Sequence, residues 1–483
     1  MPVYKAPLKE IQFLLHDVLG YEKNVLGLPA YAEATRDVVD AVLLEAAKFC
    51  ENELQPLNLP GDKEGCTYEN GVVRTPKGFK EAYKTFREGG WCGLTADPEF
   101  GGQGLPKVVG FAFEEMITSA NMSFGMYPGL SHGAYNAIEK HASAALKKEY
   151  LPKLVDGTWA GTMCLTEPQC GTDLGLIKTK AMPSDDGSFR ITGTKIFISA
   201  GEHDLTDNIL HLVLAKLPDA PPGIKGISLF LVPKFLPKKG ANGLEAGPAN
   251  GVRCGSIEHK MGIKASSTCV INFEDSKGWL VGTKHKGMRA MFAMMNAARL
   301  GVAMQGLAIA EVSYQNGANY ARDRLQGRAL TGAKYPDKAA DPILVHPDVR
   351  RMLLKQRAIT EAARALAYWS GMQLDVYSNH PDAAVRAEAE DFVALMTPIM
   401  KAFFTDHGFA AANDTVQVHG GHGYIHEYGV EQFARDARIA QIYEGANGIQ
   451  ALDLIGRKLP MGGGRLLRRF FHPMQAFLEE NMA

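Results

Sequence analysis

The chain has 483 residues, of which 46% are hydrophobic, and its 52 Lys and Arg residues nearly balance its 53 Asp and Glu residues. A chain of this length can bury a large core and corresponds to roughly three domain-sized units. Without an excess of positive charge, it has no basic field to attract nucleic acid or an anionic membrane surface. We therefore expect no nucleic-acid partner and no membrane insertion.

The cysteines and the N-terminal residues favour a cytoplasmic protein. The seven cysteines are odd in number and scattered, and no Cys-x-x-Cys pair occurs, which favours reduced thiols over a disulfide framework or a zinc site. Lys5, Lys9 and Asp17 lie where a signal peptide needs its apolar core. No apolar stretch approaches the length of a membrane span.

Residues 1–160 are predicted to form an N-terminal helical domain. Apolar residues recur at helical spacing over residues 11–18 and again over 38–46. The stretch 98–106 is rich in Gly and Pro and is predicted to be a loop within this domain.

Residues 161–286 change to the pattern of short strands. Asp185-Asp186-Gly187 is a typical turn between two of them. Short runs of alternating or β-branched apolar residues, bounded by Gly, Pro, Asn or Asp, occur at 189–193, 195–199, 209–214, 227–232 and 269–273. This zone is predicted to be a small β-barrel or sandwich.

Residues 287–458 return to long helices, predicted at 287–323, 348–376 and 383–413. Long helices with short connections indicate a C-terminal helical bundle. Residues 459–483 begin a further amphipathic helix, predicted from residue 465. The predicted fold class is therefore multi-domain α+β, with an N-terminal helical domain, a central small β-barrel or sandwich and a C-terminal helical bundle.

Two strand ends in the central zone carry hydroxyl and small residues. Residues 163–173 lead from a strand into a loop with Thr166 and Thr172, which suits an anionic or heterocyclic ligand. An ordinary strand-to-turn exit is the commoner explanation of such a pattern. In the strand 195–199, Phe197 can pack on a flat ring, but Phe in a strand is more often a core residue.

Two features of the C-terminal zone each have two interpretations. Arg299, on the most apolar helix, needs a carboxylate or a ligand if it is buried, and otherwise extends to the helix surface. Residues 417–424 are interpreted as a Gly-rich loop after a helix, either a backbone cradle for phosphate or a simple turn. No Cys or carboxylate joins His419 and His422 in a ligand set, so we expect no metal site.

Glu444 follows Ile442 and Tyr443 and precedes Gly445. A carboxylate at the end of an apolar segment is desolvated, which raises its pKa and makes it a competent base near neutral pH. Alternatively, Asn447 caps a helix over 448–457 and Glu444 is a loop residue without a role. Taken alone, these residues favour the second interpretation.

Taken together and in this order, the motifs resemble the acyl-CoA dehydrogenase family, over residues 35–457. The resemblance is carried by Thr166-Glu167-Pro168, Gly171-Thr172, the strand 195–199, Arg299, Gly420-Gly421 and Tyr443-Glu444-Gly445. Residues 1–8, 163–168 and 442–450 are most similar to the larger bacterial branch, which includes fatty acyl-CoA and 3-methylmercaptopropionyl-CoA dehydrogenases. Members of that branch continue for about a hundred further residues as another helical domain, so we expect the sequence to be part of a longer protein.

The resemblance implies FAD as the cofactor. It puts Cys164, Leu165 and Thr166 beside the flavin ring, Phe197 over its face in place of the usual Trp, and Ser199 near N5 in place of the usual Thr. Four residues are implied to reach the FAD of a neighbouring subunit, and hence imply a homodimer or a dimer of dimers: Arg324, Gln417, His419 and Gly420. The other implied cofactor contacts are Gly171, Thr172, Ile198, Ala446 and Gly448.

The resemblance also implies an acyl-CoA thioester as the substrate. The implied substrate contacts are Thr172, Asn296, Arg299, Tyr443 and Gly445, although relatives often have Asp at the position of Asn296. Some members of the family place the catalytic base immediately before the substrate Arg. That position here is Ala298, which cannot take a proton, so Glu444 is the implied base.

The implied reaction is α,β-dehydrogenation to the trans-2-enoyl-CoA, as in fatty acid β-oxidation, with electrons passed to an electron-transfer flavoprotein. Two alternatives remain open at this point. One is an acyl-CoA oxidase, which passes electrons to oxygen. The other is a non-catalytic, DNA-binding flavoprotein on the same fold, which the near-zero net charge and the intact Glu444 disfavour.

Overall fold

The computed structural model describes residues 2–240 and 243–482. The π-helical segments Phe13–Val18, Cys50–Leu54 and Leu454–Lys458 continue the α-helices that end at Gln12, Phe49 and Asp453, and Glu22–Leu26 is a separate π-helical segment. The α-helices are α1 (Leu8–Gln12), α2 (Arg36–Phe49), α3 (Gln55–Glu64), α4 (Phe79–Glu88), α5 (Lys107–His141), α6 (Ala144–Val155), α7 (Gly287–Asp323), α8 (Pro347–Asn379), α9 (Ala383–His419), α10 (Glu431–Arg438), α11 (Asn447–Asp453) and α12 (Arg465–Asn481). The strands are β1 (Thr67–Glu69), β2 (Val72–Arg74), β3 (Trp159–Cys164), β4 (Lys180–Pro183), β5 (Phe189–Ser199), β6 (Asn208–Lys216), β7 (Ile227–Pro233), β8 (Phe235–Gly240), β9 (Gly243–Ala249), β10 (Val252–Ile257) and β11 (Thr268–Val281).

These elements form two compact units. The first, called here the helical unit, consists of Met1–Leu59, Leu105–Met122 and Arg299–Ala483. The second, called the barrel unit, consists of Pro60–Gly104 and Ser123–Ala298. One boundary follows Met122, next to Asn121, where the backbone of α5 is non-helical, and another falls within α7.

The barrel unit is built on a closed ring of strands. Strand β7 pairs with both β11 and β6, and the path β11–β5–β4–β6 completes the ring. The turn predicted at Asp185-Asp186-Gly187 joins β4 to β5, with Gly187 at φ +79°. Strands β10 and β3 extend from this ring as edge strands, each paired with one neighbour, and closure of the ring buries the inward side chains of its strands. These include Ile191, Val213, Phe230, Ile271 and Phe273.

The helical unit contains the long, mutually packed helices α8 and α9. Its interior holds the guanidinium of Arg364, whose Nη2 donates to Glu115 at 2.7 Å and to Glu311 at 2.6 Å. Buried charges are tolerated when they are paired in this way. The observed α7 matches the predicted helix over 287–323, and α12 matches the helix predicted from residue 465.

One boundary differs from its prediction. Helix α9 continues to His419, so Gln417 and His419 belong to its last turn and not to a loop. No Gly or Pro interrupts residues 414–419, and the Thr415 hydroxyl donates to the Ser313 carbonyl, which anchors this end of the helix. The helix ends where Gly420 adopts a φ of +60°, a conformation that favours glycine.

All seven cysteines are unpaired. Among the described helices, none combines the length and the apolar character needed to cross a membrane.

Candidate active site

Glu444 lies in a strained turn of the helical unit. The turn follows the 3-10 turn Ile439–Gln441 and precedes α11. Glu444 has a φ of +56° and Gly445 a φ of +86°. A left-handed conformation costs a non-glycine residue about 1–2 kcal/mol. Residues held in this way persist only where the surrounding structure imposes the conformation, and they cluster at functional sites.

Two side chains impose the conformation of this turn through its carbonyl groups. Gln450 Nε2 donates to the Glu444 carbonyl at 3.1 Å and to the Gly445 carbonyl at 3.0 Å. Arg299 Nε donates to the Glu444 carbonyl at 3.4 Å. A Cβ atom at position 445 would lie 2.7 Å from Gln450 Nε2 and would displace this donor, and the φ of +86° itself favours glycine.

Arg299 is buried, and the structure supplies the carboxylate that a buried Arg requires. Its Nη1 lies 3.4 Å from Asp453 Oδ2, and both side chains are buried. Burial lowers the pKa of Arg299, while Asp453 and Glu444 oppose this effect. Arg299 therefore couples the turn to α11 and places a positive charge near Glu444.

The electrostatic setting of Glu444 is that of a proton-accepting group. Burial raises the pKa of Glu444 to about 7, against the opposing effect of Arg299 and Lys401. The side chain is half-buried, and among the described residues none makes a hydrogen bond to its carboxylate. A carboxylate that is desolvated but not hydrogen-bonded exchanges a proton near neutral pH.

The sequence reasoning missed a second carboxyl of the helical unit, Glu114 on α5. Burial raises the pKa of Glu114 to about 7 as well. A Cβ atom at Gly301 would lie 2.7 Å from Glu114 Oε1, which puts the carboxyl against α7 two residues from Arg299. Its only signal in the sequence is a Glu pair inside the apolar run 111–116. Glu444 is therefore not the only carboxyl of this unit with a pKa suited to a base.

Tyr443 also belongs to this part of the helical unit. Its hydroxyl donates to Gln305 Oε1 on α7. Burial raises the pKa of the Tyr443 hydroxyl, and the charges of Glu444 and Glu114 raise it further. Tyr443 thus stays neutral and acts as a hydrogen-bond donor.

The loop that carries Thr166 in the barrel unit is held by a buried ion pair. Lys195 Nζ donates to Glu167 Oε1 at 2.8 Å and to the Leu165 carbonyl at 2.9 Å, and the Ile196 N–H donates to the Thr166 carbonyl at 2.9 Å. Burial alone would raise the pKa of Glu167, but the Lys195 ammonium and several hydrogen bonds lower it to about 2. The half-buried residues Leu165 and Thr166 are thus fixed to β5.

Strand β5 presents Phe197 outward at a bulge. Register with β11 advances by one extra residue on β5 between Lys195 and Ile198, and Phe197 adopts a φ of +57°. A bulge of this kind re-aims a side chain. Phe197 is 60% exposed, whereas Ile198 is buried and Ser199 half-buried. The core role that is usual for Phe in a strand does not apply to Phe197.

The other predicted contacts of the barrel unit differ in exposure, since three of them are exposed and Cys164 is buried. Cys164 is buried at the end of β3, and its thiol lies 3.8 Å from His211 Nδ1. Gly171 and Thr172 are exposed in the following loop, and a Cβ atom on Gly171 would lie 3.6 Å from Thr166 Cγ2. Asn296 is exposed on α7.

The residues predicted to serve a neighbouring subunit gather at one end of α7 and α9 in the helical unit. Tyr320 stacks on His419 with ring centroids 4.1 Å apart, and its hydroxyl lies 2.8 Å from His422 Nδ1. The His419 ring is therefore occupied within the chain. Arg324, just after the end of α7, is exposed, and so are Gln417 and Gly420 on either side of His419.

Two further predicted cofactor contacts lie at the start of α11, where Ala446 is half-buried and Gly448 is exposed.

No group of His, Cys, Asp and Glu side chains suited to hold a metal ion occurs among residues 2–240 and 243–482.

Comparison with known proteins decides the family. The acyl-CoA dehydrogenase N-terminal, middle and C-terminal domain models match residues 38–158, 162–276 and 285–459. The chain is 48% identical over 467 residues to the 3-methylmercaptopropionyl-CoA dehydrogenase of Ruegeria pomeroyi, covering 97% of this chain and 78% of that protein. The chain belongs to the acyl-CoA dehydrogenase family.

Further relatives agree with this assignment. A butyryl-CoA dehydrogenase of Syntrophomonas wolfei is 37% identical, over 98% of this chain and 79% of that protein. The butyryl-CoA dehydrogenase structure from Megasphaera elsdenii matches with a TM-score of 0.70 at 26% identity, over 87% of this chain and 97% of that one. The predicted family and fold class are confirmed, and the chain is an acyl-CoA dehydrogenase-type flavoprotein oxidoreductase.

Proposed function

We propose that this acyl-CoA dehydrogenase uses FAD to convert acyl-CoA thioesters to trans-2-enoyl-CoA, with Glu444 as the base that removes the α-proton. The observation that carries the proposal is the Glu444 turn. It combines a left-handed backbone, a half-buried carboxylate without a hydrogen-bond partner among the described residues, and a pKa raised by burial to about 7. A base at this pKa is ionised often enough at neutral pH and still strong enough to take the proton.

The donor set of the barrel unit fits FAD. Phe197 offers an exposed ring at a bulge, and Thr166 and Ser199 offer hydroxyl groups on the loop and strand beside it. A flat heterocycle with a polar edge needs this combination of an apolar face and hydroxyl or backbone donors. We assign Cys164, Leu165, Gly171, Thr172 and Ile198 to the same site, and FAD when bound supplies the acceptor for the β-hydrogen.

The chain itself must manage the α-proton and the charge that develops on the thioester oxygen. The Glu444 carboxylate removes the proton. The Glu444 N–H lies outside the helical hydrogen-bond pattern and is unpaired among the described residues, so it can stabilise the developing oxyanion. Substrate entry displaces water and raises the pKa of Glu444 further. Tyr443 and Gly445 flank the base, and Thr172, Asn296 and Arg299 are the proposed contacts for the rest of the substrate.

The proposed partners follow from the same family relationship. Arg324, Gln417 and Gly420 are exposed in the helical unit, which is what a role toward the FAD of a second subunit requires. His419 supports them by stacking on Tyr320. We therefore propose a homodimer or a dimer of dimers, with Ala446 and Gly448 offering backbone contacts to FAD. An electron-transfer flavoprotein is the proposed electron acceptor.

Anaerobic flavin bleaching tests the assignment of the base. Wild-type protein is mixed with a panel of acyl-CoA thioesters that includes butyryl-CoA and 3-methylmercaptopropionyl-CoA. Glu444→Gln should keep its flavin and bind acyl-CoA but reduce the flavin at least about a thousandfold more slowly, within the range for loss of a general base. Glu114→Gln is the matched control, because its carboxyl has the same raised pKa, and it should slow reduction less than about tenfold.

Each outcome of this experiment separates the candidates. If Glu114→Gln abolishes bleaching while Glu444→Gln does not, Glu114 is the base. Fast reoxidation of the reduced protein in air identifies an oxidase, whereas reoxidation only by an electron-transfer flavoprotein supports the dehydrogenase. Absence of bleaching with every thioester, together with salt-dependent DNA binding, would contradict the proposed function altogether.

A further inference from the structure

Lys401 is a buried cation on α9 that the proposed mechanism does not yet use. Its side chain is fully buried, and its Nζ donates to Asn447 Oδ1 at 2.8 Å. Among the described residues, none forms a salt bridge to Lys401 within 4.0 Å. Burying an ammonium group without a directly paired carboxylate is costly, so the position needs a physical explanation.

Asn447 connects Lys401 to the turn of Glu444. Asn447 is the first residue of α11, three positions after Glu444. The alternative that it caps α11 is not observed, because the N-cap position is Ala446 and no side-chain cap is formed. Its amide instead faces α9, where Nδ2 donates to Thr405 Oγ1 at 3.0 Å and to Asp406 Oδ1 at 2.7 Å.

The other end of the turn is attached to the same stretch of α9. Gln441 Nε2 donates to Asp406 Oδ1 at 2.7 Å. Residues 442–446 are thus held between Gln441 and Asn447, and both anchors meet on Asp406. The segment 401–406 of α9 therefore holds both ends of the strained turn in place through hydrogen bonds.

Charges on three elements surround the Glu444 carboxylate within the helical unit. Burial lowers the pKa of Lys401 to about 8, against the opposing effect of Glu444 and Asp406. Arg299 on α7 is the second cation near Glu444, and it is itself paired with Asp453. The charge of Arg457 lowers the pKa of Arg299, and the charge of Glu444 raises the pKa of Tyr443. Of the two cations, only Lys401 has no carboxylate bound directly to it.

We propose that Lys401 is a positioning residue for Glu444, which it serves by anchoring the turn through Asn447 and by supplying the positive charge that keeps the carboxylate ionised. The inference rests on the proposed function of Glu444 as the base. A neutral side chain at position 401 should leave the fold intact, because it leaves no carboxylate without a direct partner and because the Thr405 hydroxyl still donates to Asn447 Oδ1 at 3.3 Å. It would nevertheless remove one of the two cations that favour the ionised base.

The experiment compares pH profiles of flavin reduction under single turnover from pH 5 to 9. Lys401→Met should move the acid limb upward by roughly half to one pH unit, because loss of a nearby cation raises the pKa of a carboxylate. Lys401→Arg keeps the charge and should stay near the wild-type profile. Lys355→Met is the control. Lys355 is an exposed lysine on α8, and it pairs with Asp414 of α9, eight residues beyond Asp406. Asn447→Ala should lower the rate of flavin reduction without moving the acid limb of the pH profile.

A melting-temperature cycle gives a second readout that does not depend on activity. Glu444→Gln is combined with Lys401→Met in the purified protein between pH 5 and 8. The stabilising effect of Glu444→Gln at high pH should be larger in the Lys401→Met background, since the lone carboxylate is then harder to ionise.

The outcomes distinguish this inference from the proposed function. An unshifted acid limb in Lys401→Met, together with an additive melting cycle at every pH, would overturn the role of Lys401. If no acyl-CoA reduces the wild-type flavin, the proposed function fails, and the melting cycle alone then decides whether Lys401 and Glu444 are coupled.

Discussion

Two glutamates, the buried Glu167 in the barrel unit and the half-buried Glu444 in the helical unit, have cations nearby and yet have opposite protonation behaviour. Glu167 accepts hydrogen bonds from the Lys195 ammonium, the Thr179 hydroxyl and N–H, and the Lys178 N–H, and its pKa falls to about 2. Glu444 has the charges of Arg299 and Lys401 but no hydrogen bond to its carboxylate among the described residues, and its pKa rises to about 7. Direct hydrogen bonds therefore decide which carboxylate is structural and which can exchange a proton.

The largest effect is expected from breaking the Glu167–Lys195 pair. Lys195→Met leaves the Glu167 carboxylate buried without its cation, so the free energy of unfolding should fall by about 3–5 kcal/mol. Chemical denaturation followed by intrinsic fluorescence measures the loss. Lys180→Met, at an exposed position on the neighbouring β4, should change the free energy of unfolding by no more than about 0.5 kcal/mol. A loss below about 1 kcal/mol in Lys195→Met would show that hydrogen bonds from the backbone suffice to hold Glu167.

How well the sequence predicted these two regions depends on how local their causes are. The helix over 287–323 and the turn at Asp185-Asp186-Gly187 were confirmed because composition and spacing alone specify them. Closure of the barrel depends on β7 pairing with two strands, which local patterns do not encode. Helix α9 ran past its predicted end because its contacts with α7 outweigh the weak propensity of Asn413.

The candidate site shows the same division. Glu444, Arg299 and Phe197 were identified because the motifs that contain them resemble those of a family, and their proposed roles stay predictions. The left-handed turn at Glu444 was not predicted, because Gln450 and Asn447 impose it through contacts that only the folded chain brings together. Glu114 and Lys401 were missed because a single charged residue within an apolar helix has no distinct local pattern.

An effect of intermediate size is expected on the free energy of unfolding of Glu167→Gln and Glu444→Gln, which should depend on pH in opposite directions. The folded pKa of Glu167 is depressed, so wild type should exceed Glu167→Gln by about 2–3 kcal/mol at neutral pH, and this advantage should disappear as the pH falls from about 4.5 to about 2. The folded pKa of Glu444 is raised, so its stabilising contribution is complete below about pH 4.5 and is lost as the pH rises through about 7.

The second half of this comparison has the opposite sign. Above pH 7, Glu444→Gln should be more stable than wild type by about 1–2 kcal/mol, a value discounted because the Glu444 side chain is only half-buried. Unfolding in urea across pH 2 to 8 measures both variants in one series. Parallel slopes for the two variants would show that Glu444 is as well satisfied in the fold as Glu167, and would remove the distinction between them.

The smallest effect concerns Phe197, which connects stability to the proposed flavin site. Phe197→Asn should stabilise the flavin-free protein by about 0.5–1 kcal/mol, because Asn tolerates the left-handed φ of +57° that disfavours Phe and because little apolar contact is lost from a side chain that is 60% exposed. The same variant should bind FAD more weakly, since it loses the exposed ring. Met182→Asn, at an exposed position of β4, lacks the positive φ and should show neither change. Denaturation of the flavin-free protein and titration with FAD separate the two effects, and tighter FAD binding by Phe197→Asn would mean that the strain at the bulge serves something other than the flavin.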